Sequence, residues 1–194
     1  MVALRRSAPA RMTLTEFLSW DPADRSGRAW QLVDGEPVAM APASETHAAL
    51  QGEIGRLIGN HLVDRGGPCR LLTQPGIVPR GRSSRNFRVP DLAVTCAPPG
   101  LGLMVPEPIL VIEILSPGNE AQTRANIWAY TTIPSVREIL AVHSTRIEAE
   151  LLRRNADGSW PEEPDILSAA DTLALAGIDF VTHLTALYRT TALV

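Results

Sequence analysis

I-L-V-I-E-I-L, from Ile109 to Leu115, sets one acid, Glu113, among six aliphatic residues. A run this rich in β-branched side chains predicts a central strand buried on both faces. An ionised carboxylate left there without a partner would cost on the order of several kcal/mol. A second acid in similar surroundings, Asp91 in F-R-V-P-D-L-A-V (Phe87 to Val94), suggests what offsets that cost. Two carboxylates on neighbouring apolar strands make a place for a divalent cation. All 18 residues in the Lys+Arg count are arginine, so whatever chemistry occurs here proceeds without lysine.

The rest of the chain reads as an ordinary folding unit. Its 194 residues suffice for one core, and 45% hydrophobic with 20% charged residues is usual for a globular domain. A net charge of −3 gives no global basic field. No apolar run approaches the roughly 18 residues of a membrane span. Residues 1–12 are basic without an apolar stretch and predict a disordered tail, leaving residues 13–194 as the domain and the cytoplasm as the expected compartment. Cys69 and Cys96 lack metal-ligand spacing. Their simplest reading is as small buried hydrophobes, with one disulfide as the alternative.

Local signals order the elements. Thr13 and Glu16 form a capping box for a short helix. A hairpin turns at Asp34-Gly35 between Ala29 and Met40. Ser44 caps a long helix whose apolar stripe is Leu50, Ile54, Leu57, Ile58 and Leu62, ending at Gly66-Gly67-Pro68. Strands are expected at 70–73, 76–79, 88–95 and 109–115. A helix capped by Asn119, with Gln122 at the capping-box position, runs to about Thr132. Strands follow at 138–143, 147–153 and near Trp160, and Ile178 to Tyr188 predicts a short amphipathic helix. The result is an α+β domain with a mixed central sheet.

Pro90-Asp91 followed by E-I-L-S-P (Glu113 to Pro117) resembles the PD-(D/E)XK nuclease superfamily. Three further segments narrow the resemblance: W-Q-L-V-D-G-E (Trp30 to Glu36), His47 opening the long helix, and A-Y-T-T-I-P-S-V-R-E-I-L (Ala129 to Leu140). Together they are similar to the Uma-two family of small bacterial proteins classed with restriction endonucleases, over roughly residues 13–160. The resemblance implies a restriction-endonuclease-like αβββαβ core, a sheet flanked by helices, Mg2+ or Mn2+ binding, and cleavage of DNA. Asp91, Glu113 and the backbone carbonyl of Ile114 are the implied metal ligands.

The departures are equally specific. The superfamily's lysine position, two residues after the second acid, is Leu115. The resembled family places its lysine four residues before the tyrosine, which here is Asn126, and an acid four earlier, which here is Gln122. Gln122 and Asn126 share a helix face as an i, i+4 pair and are the candidate catalytic replacements. Trp30-Gln31-Leu32 likewise carries an amide where the family often has an acid. Arg124 lies about 200° around the helix from both amides and faces away.

His47, Gln31 and Gln74 are candidate substrate contacts. So are Arg82, Arg85 and Arg88, within a stretch from Arg65 to Pro90 that holds no acid. His61, His143 and His183 have no zinc-like spacing, Ser116 starts the turn into the next helix, and Trp128 and Tyr130 are expected to pack. The expected function is a lysine-free, metal-dependent DNA endonuclease acting as a homodimer. The alternative is a PD-(D/E)XK scaffold that has lost catalysis and binds DNA or protein.

Overall fold

The computed structural model describes residues 11–21 and 29–194. Residues 1–10 of the expected tail fall outside them. At the tail's other end the Met12 N–H donates to the Gly35 carbonyl at 2.7 Å.

In chain order the elements are α1 (Leu14–Ser19), β1 (Trp30–Val33), β2 (Glu36–Ala39), α2 (Glu45–Arg65), β3 (Arg70–Thr73), β4 (Leu92–Thr95), β5 (Pro108–Leu115), α3 (Glu120–Thr131), β6 (Glu138–His143), β7 (Glu148–Arg153), β8 (Asp165–Ser168), β9 (Thr172–Leu175) and β10 (Phe180–His183), with a 3-10 turn at Leu184–Tyr188. Six strands form the central sheet in the order β3-β4-β5-β6-β7-β8. Only β5 and β6 run parallel, joined by the crossover helix α3. The αβββαβ core is therefore α2-β3-β4-β5-α3-β6.

The period-two alternation of β5 sorts its side chains between two cores. Leu110, Ile112 and Ile114 join Leu50, Ile54, Ile58 and Leu62 of α2. Val111 and Leu115 join Ile127 and Tyr130 of α3. Glu113 belongs by parity to the α3 face, which sets its partners. The β1-β2 hairpin turns at Asp34 (φ 50°) and Gly35 (φ 90°), the two positive φ values of a type I′ turn.

Four expectations are corrected. The segments expected as strands at 76–79 and 88–91 make only isolated bridges, such as Ile77 with Arg88. Pro75, Pro79 and Pro90 remove the N–H groups a ladder needs. The strand expected near Trp160 is blocked by Pro161 and Pro164. Pairing resumes at β8, while the Trp160 indole N–H donates to the Thr131 carbonyl at 3.0 Å. The expected C-terminal helix is instead the β9-β10 hairpin and a 3-10 turn. Its alternating Leu173 and Leu175, with Leu184, Leu187 and Tyr188, cap the α2-side core. Finally, Cys69 and Cys96 are bridged. They extend the Arg70–Thr95 pairing by one residue, so the antiparallel register itself brings them together. Among the described residues no helix is long and apolar enough to cross a membrane.

Candidate active site

Asp91 immediately precedes β4, at the edge where β4 stops and β5 continues. Leu92 pairs with Ile112, so the residue opposite Ile114 is Pro90. Proline has no N–H to offer. The Asp91 side chain takes up the Ile114 N–H on this edge: its Oδ2 accepts from it at 2.7 Å. The Ile114 carbonyl, on the same edge of the strand, has no N–H opposite it in this register.

Three further groups fix Asp91. His47, in the first turn of α2, places Nε2 2.9 Å from Asp91 Oδ1. Gln51, one turn later, donates its amide to the Asp91 carbonyl at 2.9 Å. The Gln74 N–H reaches the same carbonyl at 3.0 Å from a left-handed backbone (φ 48°). On its other side His47 Nδ1 lies 3.2 Å from Ser116 Oγ, which is 3.1 Å from Ser144 Oγ. With the proton on Nε2, His47 donates to Asp91 and accepts from Ser116.

Glu113 is 5% exposed and accepts from the Tyr130 hydroxyl at 2.9 Å. Burial pushes its pKa well above the usual carboxylate range, and the neighbouring Asp91 charge pushes it further. Hydrogen bonds from Tyr130 and Asn126 oppose that rise. Burial and Glu113 together push the Tyr130 phenol up, so it remains a donor.

A chain of three amides runs beside the acids. Gln122 Nε2 donates to Asn126 Oδ1 at 3.2 Å, and Asn126 Nδ2 donates to Gln31 Oε1 at 3.2 Å. Asn126 and Gln31 are buried. Gln31, His47, Gln74, Asp91, Glu113 and Asn126 share the wall of one cleft of about 750 Å³. Both carboxylates, of Asp91 and Glu113, line this cleft. Among the described residues no cluster of three or more His, Cys, Asp or Glu side chains has metal-holding geometry.

The arginines do not join this cleft. Arg82 and Arg85 are exposed on a turn, with Arg82 pairing to Asp34 at 3.2 Å. Arg88 is 5% exposed and donates to the Leu32 carbonyl at 3.3 Å. Arg70 is tied to the Ala97 carbonyl beyond β4. Arg124 is held by Glu120 and Glu150, each at 2.9 Å, facing away from the amides as expected.

Asn119 does not cap α3 with its side chain. Its Oδ1 accepts from the Ser116 N–H at 3.1 Å instead, and Gln122 is turned toward Asn126. Tyr130 is fully buried, whereas Trp128 is exposed. Gln51, Ser144 and Thr123 were not singled out from the sequence. Gln51 was reachable, because it lies four residues after His47 on one helix face. Ser144 follows from parallel pairing, which sets Leu115 beside His143 and so Ser116 beside Ser144.

Comparison with known proteins agrees with this architecture. A protein from Synechocystis sp., described as "Uncharacterized protein slr1290", is 31% identical over 195 residues, covering 97% of this chain and 98% of its own length. A crystal structure from Anabaena variabilis, described as a "putative nuclease belonging to DUF820", superposes with a TM-score of 0.74 at 15% identity. It covers 91% of this chain and 97% of its own, which establishes the shared fold. The Uma2 family model, described as "Putative restriction endonuclease", matches residues 14–185, and the chain belongs to that family.

Proposed function

We propose that this protein is a metal-dependent DNA endonuclease of the cytoplasm, acting as a homodimer through a site without lysine. The observation that carries the reading is the forced proximity of Asp91 and Glu113 at the head of a cleft. Burial and the neighbouring Asp91 charge raise the proton affinity of Glu113, and among the described residues no arginine lines the cleft. A cation beside two such carboxylates would offset their repulsion.

The donor set fits Mg2+ or Mn2+: two carboxylates and a backbone carbonyl are hard oxygen ligands, and such ions keep several positions for water and phosphate. When bound, such an ion neutralises charge developing on a phosphoryl group and makes water acidic enough to attack. The chain's own residues do the remaining work. His47 and the Ile114 N–H orient Asp91, and Tyr130 orients Glu113. Asn126, beside Glu113, positions the attacking water, and Gln122 fixes the rotamer of Asn126. DNA as substrate is supported by the family's description and by the exposed arginine turn at Arg80, Arg82 and Arg85. A two-fold assembly suits cutting both strands of a duplex.

The second reading, a scaffold without catalysis, is favoured by the neutral Gln31–Asn126–Gln122 chain. Plasmid nicking separates the two. Purified protein should convert supercoiled plasmid to open circles with Mg2+ or Mn2+, and Asp91→Ala should abolish this. Cleavage that survives the substitution would defeat the assignment of the site. Saturable Mn2+ binding without nicking would establish the scaffold reading.

A further inference from the structure

Among the described residues nothing accepts from the first N–H groups of crossover helix α3. The Asn119 side chain makes no bond to the helix, because its carbonyl oxygen is engaged by the Ser116 N–H. The first amide with a helical acceptor is that of Thr123, bonded to the Asn119 carbonyl at 2.9 Å. The N–H groups of Glu120, Ala121 and Gln122 therefore have no intrahelical partner. The carboxylate of Glu120, in the first turn, is held by Arg124 at 2.9 Å.

A second observation points to a ligand at this spot. Thr123 is only 4% exposed, yet its hydroxyl has no hydrogen-bond partner among the described residues. At the other end of the same helix Thr131 and Thr132 both turn their hydroxyls back onto carbonyls, at 2.7 Å each. Thr123 does not do so, although the bond is geometrically open to a helical threonine. Side chains in the first turn lean toward the helix N-terminus, and Thr123 lines the cleft together with Gly118 and Asn119. A third donor faces the same cleft. Gln31 is 5% exposed and its oxygen accepts from Asn126; among the described residues its amide hydrogens have no acceptor.

Every one of these groups is a donor, and none is a cation. Neutral donors lining a cleft at a positive helix end are suited to an oxyanion. From Gln122 to Asn126, which stands beside Glu113, is one helical turn, roughly 6 Å along the axis. That distance is comparable to the step between neighbouring phosphates of one strand. We propose that the α3 N-terminus, the Thr123 hydroxyl and the Gln31 amide form a phosphate subsite. It receives the phosphate adjacent to the scissile one. The scissile position itself rests on the nuclease reading; the affinity for phosphate does not.

Inorganic phosphate, titrated into the metal-free full-length protein in chelator, tests this by calorimetry and by amide chemical shifts. Saturable binding is expected, with the Glu120 and Ala121 amides shifting on the same isotherm. Thr123→Val should weaken binding about tenfold, since one hydrogen bond to a charged group is lost. Thr123→Ser should restore it, and all three proteins should melt within the same range. Equal phosphate affinity in wild type and Thr123→Val would overturn the proposal. So would shifts confined to the arginine turn at 80–85, an outcome readable on wild type alone. Asp91→Asn should keep phosphate binding, so a failure of the nuclease reading leaves this result standing, and the converse holds.

Discussion

The Tyr130 hydroxyl donates to Glu113 Oε1 at 2.9 Å with both residues enclosed in the core, 0% and 5% exposed. They meet because Glu113 lies on the face of β5 that α3 covers, and Tyr130 points down from that helix. Tyr130→Phe keeps the packing and removes the donor. The carboxyl group then lacks that partner in a site where water cannot freely replace it. Urea denaturation should show a loss of about 1 to 3 kcal/mol. Unchanged stability would mean that the hydroxyl is not bonded to Glu113 in solution.

Glu113 should leave a signature in the pH dependence of stability. Its folded pKa lies well above its ordinary 4.5, first through burial and then through Asp91. A carboxyl of this kind binds its proton more tightly when folded. Its stabilising contribution is complete below pH 4.5 and is lost as pH rises through the folded value. In chelator, Glu113→Gln should therefore melt higher than wild type at neutral and alkaline pH. The two curves should converge in acid. Mn2+ should raise the wild-type melting temperature at neutral pH and leave Glu113→Gln nearly unmoved. Parallel curves at all pH values would show that Glu113 is not perturbed.

In the proposed cation site His47 would act through Asp91, 2.9 Å away, and is itself steadied by Ser116 at 3.2 Å. His47→Ala leaves the Asp91 carboxylate with only the Ile114 N–H. Losing an orienting partner of a metal ligand lowers metal affinity by roughly 10- to 100-fold. Mn2+ calorimetry reads this directly, and plasmid nicking at saturating metal should recover most of the wild-type rate. A variant that binds Mn2+ as tightly as wild type would remove His47 from the site's support.

The core of this fold was legible because its signals are local or periodic. The aliphatic run around Glu113 marked the central strand, and the stripe from Leu50 to Leu62 marked α2. Residues at helical spacing, such as Gln122 with Asn126, were legible as pairs for the same reason. What escaped depends on register. The bridge between Cys69 and Cys96 follows from pairing Arg70 with Thr95, a partnership that neither segment announces. Ser144 reaches Ser116 only through the parallel alignment of β5 and β6. The placement of the arginines outside the cleft was not legible because a run of charge carries no direction. Arg88 alternates with Val89, and only Val89 faces the cleft.

Arg88 offers the sharpest separation of structural from functional charge. Its guanidinium makes one bond, to the Leu32 carbonyl at 3.3 Å, and its Nε has no partner among the described residues. Burial pulls its pKa down, with the nearby Tyr130 and Asp34 opposing. A buried cation so poorly matched contributes little to stability, and an apolar residue of similar length often does as well or better. Arg88→Met should thus leave the melting temperature unchanged or raised. Because Arg88 does not line the cleft, duplex DNA affinity and its salt dependence should also stay as in wild type. An arginine that contacted phosphate would behave differently: its loss would weaken binding to all sequences alike and lower the salt slope by about one. That pattern in Arg88→Met would place the guanidinium on the substrate path and require the segment from Ile77 to Arg88 to open when DNA binds.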